Sequence, residues 1–348
     1  MRQPAIRQPC VANTKVIPHL APMPGTRIFL VDNGSYEPAA TLALRGLAKE
    51  VGQWIGREVH PVSTMHSTKI DPALLGGVPA VIFEGAVQQA KADGIDEIVV
   101  LPLFIGPSRA ITEYLPKVFA DAQLGAMKLT VLQPLFGEDG KELTGILINN
   151  LNSTGWTKGS GTVLLCDHGS PIPEVTACRN ALAASLREEL GLKPEELIAC
   201  SMERREGAEY DFNEPLLEHA LQDAKGDAVI LMLFLLPGRH AGPDGDVATI
   251  AKKHAPAGLR WKLSPLLGTH FQLPEFLAYN VGSTFPYKRD WRVWPTGCAT
   301  YMVLMGLMSI LSRCLPDAAI EYPYGIGIVF GIPFLIILIY LSGFSRRY

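Results

Sequence analysis

VLLCDHGS at residues 163–170 and LMLFLLPGRH at residues 231–240 decide the fold of this chain. Each is a run of apolar, β-prone residues that stops at a glycine-bearing turn, which is typical of a strand buried in a parallel sheet. The first run leads to His168 and the second to His240. In an open α/β sheet, ligands bind where the loops leave the carboxyl ends of the strands. The sequence therefore predicts that the two imidazoles lie together at one sheet edge, as a pair that can handle a metal ion.

Composition narrows the class of protein. The 348 residues are enough for two domains, and 31 basic against 34 acidic residues give a formal charge of −3. Because no polybasic segment is present, we expect no nucleic-acid partner. The six cysteines have no CxxC spacing, so we interpret them as buried thiols of a reducing compartment. Neither a P-loop nor a Rossmann glycine fingerprint occurs, so we expect no nucleotide. We also expect no permanently bound cofactor.

Strand-like and helix-like segments alternate from residue 26 onward. The helical segments are about a dozen residues long, and this alternation predicts an α/β fold of doubly wound parallel sheets. In the first half, strands are predicted at 27–31, 58–64, 97–104 and 128–134, and helices at 41–55, 81–93, 113–123 and 139–151.

The same pattern occurs twice in the chain. LVDNGSYEP from Leu30 matches LCDHGSPIP from Leu165. VLPLFIGPSRA from Val100 matches LMLFLLPGRHA from Leu231, in the register that sets Phe104 over Phe234 and Arg109 over Arg239. We therefore predict two tandem homologous lobes joined by the Gly/Ser-rich segment STGWTKGSG and preceded by a flexible leader. The predicted ranges are 1–25 for the leader, 26–155 for the first lobe and 161–285 for the second lobe.

The two lobes differ where the histidines stand. Asn33 occupies the position of His168, and Ala110 occupies the position of His240. If the histidines served only the fold, both copies would have equal use for them. Their joint absence from the first lobe predicts a single site, with its ligands in the second lobe and the first lobe as a wall of the cleft.

Together, these features resemble the class II chelatases of the sirohydrochlorin type, the CbiX/SirB/CbiK family. The HGS turn, a glutamate about 35 residues later and an LPxFLxxGxH-like strand end carry the resemblance, which covers about 260 residues and includes the tandem lobes of the long members. It implies that His168 and His240 bind the incoming metal and that Glu203 assists them. The segment SMER departs from the family's AFLE-like segment, so Glu206 and Glu209 are alternatives for the acidic residue.

The resemblance implies insertion of Co²⁺ or Fe²⁺ into sirohydrochlorin or a related tetrapyrrole, for cobalamin or sirohaem biosynthesis. Two neutral imidazoles and one carboxylate hold a divalent ion weakly enough to release it, unlike a closed four-ligand cage. Two pyrrole protons must leave, so one imidazole can act as base while the other guides the metal. Which imidazole is the base, and which metal is used, stay open.

Three residues beside the histidines are candidate contacts to the substrate. Gly169 fits a turn with positive φ or the close approach of a flat ligand. Ser170 is a second candidate, with capping of the next helix as its alternative role. Arg239 can pair with a substrate carboxylate or tie two loops together.

Two further residues have alternative interpretations. Asp167 either fixes the tautomer of His168 or serves the fold, and the persistence of Asp32 in the first lobe favours the fold. His66 follows Met65 as Glu203 follows Met202, so we interpret it as a relic of the site or as a loop histidine.

Two apolar segments follow the second lobe. Residues 297–311 approach the length of a membrane span when extended upstream to 293, and residues 324–344 carry no charge over 21 positions. Basic residues flank the pair on both sides, which places the lobes in the cytoplasm by the positive-inside rule. We predict a transmembrane helical hairpin at 293–344 that tethers the protein to the cytoplasmic membrane; a buried core helix is the alternative for each segment.

Two other functions stay open. One is a membrane-anchored carrier of metal or tetrapyrrole that has kept the ligands without turnover. The other is a protohaem ferrochelatase, which shares the fold. The sequence does not indicate the oligomeric state.

Overall fold

Strands and helices alternate along the part of the chain that the computed structural model describes, residues 24–242 and 244–284. The first lobe contains β1 (Thr26–Asp32), α1 (Pro38–Ile55), β2 (Val59–Ser63), α2 (Phe83–Ala92), β3 (Glu97–Pro102), α3 (Leu115–Asp121), β4 (Lys128–Val131) and α4 (Lys141–Ser153). The second lobe contains β5 (Gly161–Asp167), α5 (Pro173–Leu190), β6 (Leu197–Ser201), α6 (Leu217–Asp223), β7 (Asp227–Met232), α7 (Asp246–His254), β8 (Trp261–Leu263) and α8 (Leu273–Thr284).

Each lobe has its own four-stranded parallel sheet. The strand orders are β2-β1-β3-β4 and β6-β5-β7-β8, which are the same order in the two halves. The pairing register also repeats, because Asp32 pairs with Ser63 in the first sheet and Asp167 pairs with Ser201 in the second. The predicted α/β fold with parallel sheets is confirmed.

The predicted element boundaries are off by a few residues. Helix α1 begins at Pro38, three residues before the predicted start, because a proline without an N–H suits the first turn of a helix. Strand β3 ends at Pro102 instead of residue 104. A single π-helical turn, Ala110–Tyr114, precedes α3, where the sequence predicts one continuous helix.

The central strands bury both of their faces. In β1, Ile28 and Leu30 pack into a central cluster, whereas Phe29 and Val31 pack into an outer one. The central cluster also contains residues of β5, α1, α4, α5 and α8, so one hydrophobic core joins the two lobes. The connecting segment is packed as well, since the buried Trp156 donates its indole N–H to a backbone carbonyl at 3.1 Å. The cleft between the lobes therefore has a shared, continuous support.

The first strand of the second lobe ends on a buried aspartate. Asp167 accepts hydrogen bonds from the N–H of Gly169 at 3.1 Å and from the hydroxyl of Ser201 at 2.6 Å. The guanidinium of Arg179, which is 1% exposed, lies 3.5 Å from the same carboxylate. Burial raises the pKa of Asp167, and Arg179 is the strongest influence in the opposite direction.

The matching aspartate of the first lobe has no such cation. Leu44 of α1 occupies the position that Arg179 has in α5. Asp32 accepts hydrogen bonds from Ser63 and from the backbone of Gly34, but its Oδ1 is buried without a hydrogen-bond partner. Burial raises the pKa of Asp32 to about 6.

We expect Asp32→Asn to increase the free energy of unfolding by about 1–3 kcal/mol at about pH 8 and much less at about pH 4. The folded-state pKa of about 6 lies above the ordinary value of 3.8. The protonated carboxyl of Asp32 therefore stabilises the folded state fully at a pH below 3.8, and this stabilisation is lost as the pH rises through about 6. An asparagine does not ionise, so its contribution does not change with pH. Urea unfolding across this pH range checks the prediction; an equal gain at both ends would contradict it.

The predicted transmembrane hairpin at 293–344 lies outside the described residues, as do residues 1–23 of the predicted leader. Within residues 24–242 and 244–284, no helix combines the length and the apolar character that crossing a bilayer requires.

Candidate functional site

The carboxyl ends of the central strands of both lobes open onto one cavity of about 510 Å³. The first lobe contributes the turn at 32–37, the strand end at 103–106 and His66, and the second contributes 167–169 and 233–241. This volume lies within the usual range of small-molecule sites. The loops after β1 and β5 thus face a common space, although their sheets are separate.

The structure brings His168 and His240 together in this cavity. Their ring centroids are 4.7 Å apart and their planes meet edge to face at 74°. Nδ1 of His168 lies 3.0 Å from the carbonyl of Gly169, and Nδ1 of His240 lies 2.6 Å from Oδ2 of Asp246. Both partners only accept hydrogen bonds, so each Nδ1 is the donor and each neutral ring keeps the lone pair on Nε2. Two imidazole nitrogens are thereby left available for a metal ion.

Glu203 stands at the edge of this pair. Its Oε1 lies 3.4 Å from Nε2 of His168, and its backbone N–H donates to the carbonyl of His168. A carboxylate and an imidazole lone pair repel each other unless a proton or a cation lies between them. The alternatives Glu206 and Glu209 are not among the described residues that line the cavity.

The described residues do not assemble a three-residue metal site. Among the described residues, no group of three or more histidine, cysteine, aspartate or glutamate side chains is placed so that it could hold a metal ion. Glu203, with 60% of its side chain exposed, lies outside the lining of the cavity. The geometry thus supports the two-histidine pair more strongly than the three predicted ligands together.

Asp246 is a site residue that the sequence interpretation missed. It is the first residue of α7, and its Oδ2 is bonded to His240 and lies 3.4 Å from Nε of Arg239. A carboxylate behind a ligating histidine fixes the tautomer and orientation of the ring. The available signal was an acidic residue six positions after the histidine, at a helix start.

The other predicted substrate contacts have mixed outcomes. Gly169 has φ +92°, and an added Cβ would lie 1.9 Å from the carbonyl oxygen of Glu203, so the close approach is to the backbone. Arg239 lines the cavity with 76% of its side chain exposed. Ser170 is not among the described residues that line the cavity. Its hydroxyl accepts a hydrogen bond from the N–H of Ile172, which precedes the first residue of α5, so it does not cap the helix.

The structure favours a role of Asp167 in the fold. Its carboxylate accepts hydrogen bonds from Ser201 and from a backbone N–H, while Nδ1 of His168 bonds to a backbone carbonyl instead.

The interpretation of His66 as a relic of the site, at the position of Glu203, is wrong because the two positions differ by one residue. The loop after each second strand begins with the same hydrogen bond, from Thr64 to Asp32 and from Met202 to Asp167. Met65 is therefore the counterpart of Glu203, and His66 that of Arg204.

Known proteins resemble this chain both in a family model and in three solved structures. Residues 162–284 match the CbiX family model. SirB from Bacillus subtilis with Fe³⁺ superposes with a TM-score of 0.57 at 16% identity, over 75% of this chain and 96% of that one. CbiX, the terminal enzyme for siroheme biosynthesis in denitrifying bacteria, gives 0.52 at 19% identity, over 74% and 98%.

A third structure, the sirohydrochlorin chelatase SirB from Bacillus subtilis subspecies spizizenii in complex with cobalt, gives a TM-score of 0.53 at 16% identity, over 75% and 95% of the two chains. No curated protein sequence matches the chain. At these identities the structural matches show a shared chelatase-like fold.

Proposed function

We infer that the second lobe of this chain belongs to the class II chelatase family. On this premise, we propose that the protein inserts Co²⁺ or Fe²⁺ into sirohydrochlorin or a related tetrapyrrole, in cobalamin or sirohaem biosynthesis. The observation that carries this proposal is the pair of edge-to-face imidazoles at the cavity, each with Nδ1 bonded to an acceptor. The pair lines a cavity of about 510 Å³, a volume within the usual range of small-molecule sites.

The two imidazoles share the work of metal insertion. Nε2 of each ring is assigned as a ligand of the divalent ion, with Glu203 beside His168. His240 is backed by the carboxylate of Asp246, which compensates the positive charge that forms when the imidazole accepts a pyrrole proton. The metal and the tetrapyrrole are both substrates of this reaction, and the two pyrrole protons leave the ring as the metal enters.

A panel of substrates and metals tests the proposal. The purified full-length chain is incubated without oxygen with sirohydrochlorin or protoporphyrin and with Co²⁺ or Fe²⁺, and the absorbance change on metallation is followed. We expect insertion into sirohydrochlorin. Insertion only into protoporphyrin would favour a protohaem ferrochelatase, and binding of both ligands without insertion would favour a carrier.

We expect Asp246→Asn to lower kcat/KM for metal insertion about 10–100-fold, the usual effect of removing the carboxylate behind a metal-binding histidine. The amide oxygen can still accept a hydrogen bond from Nδ1 of His240, but a neutral amide no longer offsets the positive charge that forms on the ring. Asp244→Asn is the matched control, because this neighbouring carboxylate is 93% exposed and pairs with Lys252. Equal rates for the two variants would contradict the assigned role of Asp246.

We also propose that residues 293–344 anchor the protein to the cytoplasmic membrane with its lobes in the cytoplasm. The support is the uncharged 21-residue segment at 324–344 and the basic residues on either side of the pair of segments. We expect the full-length protein to stay in the membrane pellet after alkaline carbonate washing. Its recovery in the supernatant would contradict the anchor.

A further inference from the structure

Two aromatic side chains of the first lobe face the same cavity as the histidine pair. Tyr36 and His66 both line it, and their ring centroids are 4.7 Å apart with planes inclined by 34°. The ammonium of Lys69 lies 5.5 Å from the centroid of the Tyr36 ring. Even with these neighbours, Tyr36 remains 56% exposed. Open aromatic surface inside a concave site is what a flat apolar ligand needs for packing.

The backbone holds His66 in an unfavourable conformation. Its φ of +69° and ψ of −44° place it at the centre of a γ-turn, which the N–H of Ser67 closes by donating to the carbonyl of Met65 at 2.8 Å. Among the described residues, Gln123 is the only other non-glycine with positive φ. Such conformations are unfavourable for side chains with a Cβ and cluster at binding and catalytic sites.

The loop is anchored so that the turn persists. The hydroxyl of Thr64 donates to the carbonyl of Asn33 at 2.7 Å, which ties the loop of His66 to the turn of Tyr36. The hydroxyl of Tyr114 donates to the carbonyl of Thr64 at 3.1 Å. The backbones that carry the two rings are therefore tied together before any ligand arrives.

The second lobe lacks this aromatic pair. Pro171 stands at the position of Tyr36, and Arg204 stands at that of His66. The guanidinium of Arg204 is occupied by Glu214 at 2.8 Å and by Asp211 at 3.2 Å. Since the second lobe folds without these rings, the fold does not require them.

We propose that Tyr36 and His66 form an aromatic platform that binds the flat conjugated ring of the tetrapyrrole and presents it to the histidine pair of the second lobe. This inference rests on the proposed function and deepens it. The second lobe handles the metal, and the first lobe, without either imidazole of the pair, supplies a specific binding surface instead of an inert wall.

The test separates tetrapyrrole binding from metal binding in the full-length protein. We expect Tyr36→Ala to raise the Kd for metal-free sirohydrochlorin, measured from its fluorescence, and the KM about fivefold to tenfold, the scale of one aromatic contact. His66→Asn, which tolerates positive φ without the ring, is expected to act in the same direction. Tyr36→Phe should stay within about twofold of wild type. The affinity for Co²⁺ alone should be unchanged in all three variants.

Tyr279→Ala is the matched control, because Tyr279 is 62% exposed on α8 and is not among the lining residues. An unchanged Kd and KM for Tyr36→Ala, in a protein whose wild type binds and metallates sirohydrochlorin, would overturn the platform alone. A wild type that neither binds nor metallates it would overturn the proposed function, and the platform with it.

Discussion

Replacement of either His168 or His240 by alanine is expected to lower kcat/KM for metal insertion by at least about 100-fold. This is the smaller end of the usual rate loss when a side chain that transfers a proton in the reaction is removed. Both rings line the cavity, and their centroids are only 4.7 Å apart. Alanine at either position leaves a single imidazole. The measurement is the initial rate of metallation with Co²⁺, followed by absorbance.

The double alanine variant should be little worse than either single variant, because groups that act as a unit lose their function together. His219→Ala is the matched control, since His219 is a 59% exposed histidine that pairs with Glu214 and Glu218. Its rate should equal that of wild type. Near wild-type rates in the single variants of the pair would remove the assigned site, while an unchanged thermal midpoint shows that the fold is intact.

Arg179→Leu is expected to lower the free energy of unfolding by about 3–5 kcal/mol, because it leaves the buried carboxylate of Asp167 without its cation. Arg179 is 1% exposed and also donates to the hydroxyl of Ser201 and to the carbonyl of Asn213. The substitution reproduces the first lobe, in which Leu44 has this position. Urea unfolding at neutral pH measures the loss.

A second substitution distinguishes an unpaired charge from a packing defect. Asp167→Asn in the Arg179→Leu background removes the uncompensated carboxylate, so part of the lost stability should return. Arg260→Leu serves as control, because this arginine is 84% exposed and its ion pair with Asp227 is a surface pair of little weight. A loss no larger than that of the control would contradict the role of Arg179.

The sequence was sufficient for the α/β class of the two lobes, for their parallel sheets and for the meeting of the two histidines. Parallel strands end at a common edge, so His168 and His240 could be placed together without coordinates. Asp246 could not be found in this way, because its contact with His240 depends on the path of the intervening loop. Arg179 was missed for a different reason, since a charged residue within a helix pattern gives no sign that it is buried.

The alignment of the repeats also failed locally. The loops after β2 and β6 differ in sequence, and only the hydrogen bonds from Thr64 and Met202 fix which residues correspond. As a result His66 was paired with Glu203 instead of Arg204, and its place in the cavity beside Tyr36 was not foreseen. Local sequence similarity carries no information about the γ-turn that orients this ring.

The unlike walls of the cavity depend on both copies of the lobe lying in one chain. In a symmetric dimer of identical one-lobe subunits, each substitution appears on both sides of the two-fold axis. Asn33 could not then replace an imidazole on one side only, nor could Tyr36 face a partner that keeps a proline there. Fusion of the two copies into one polypeptide lifts this constraint, so that mutation and selection act on each copy separately.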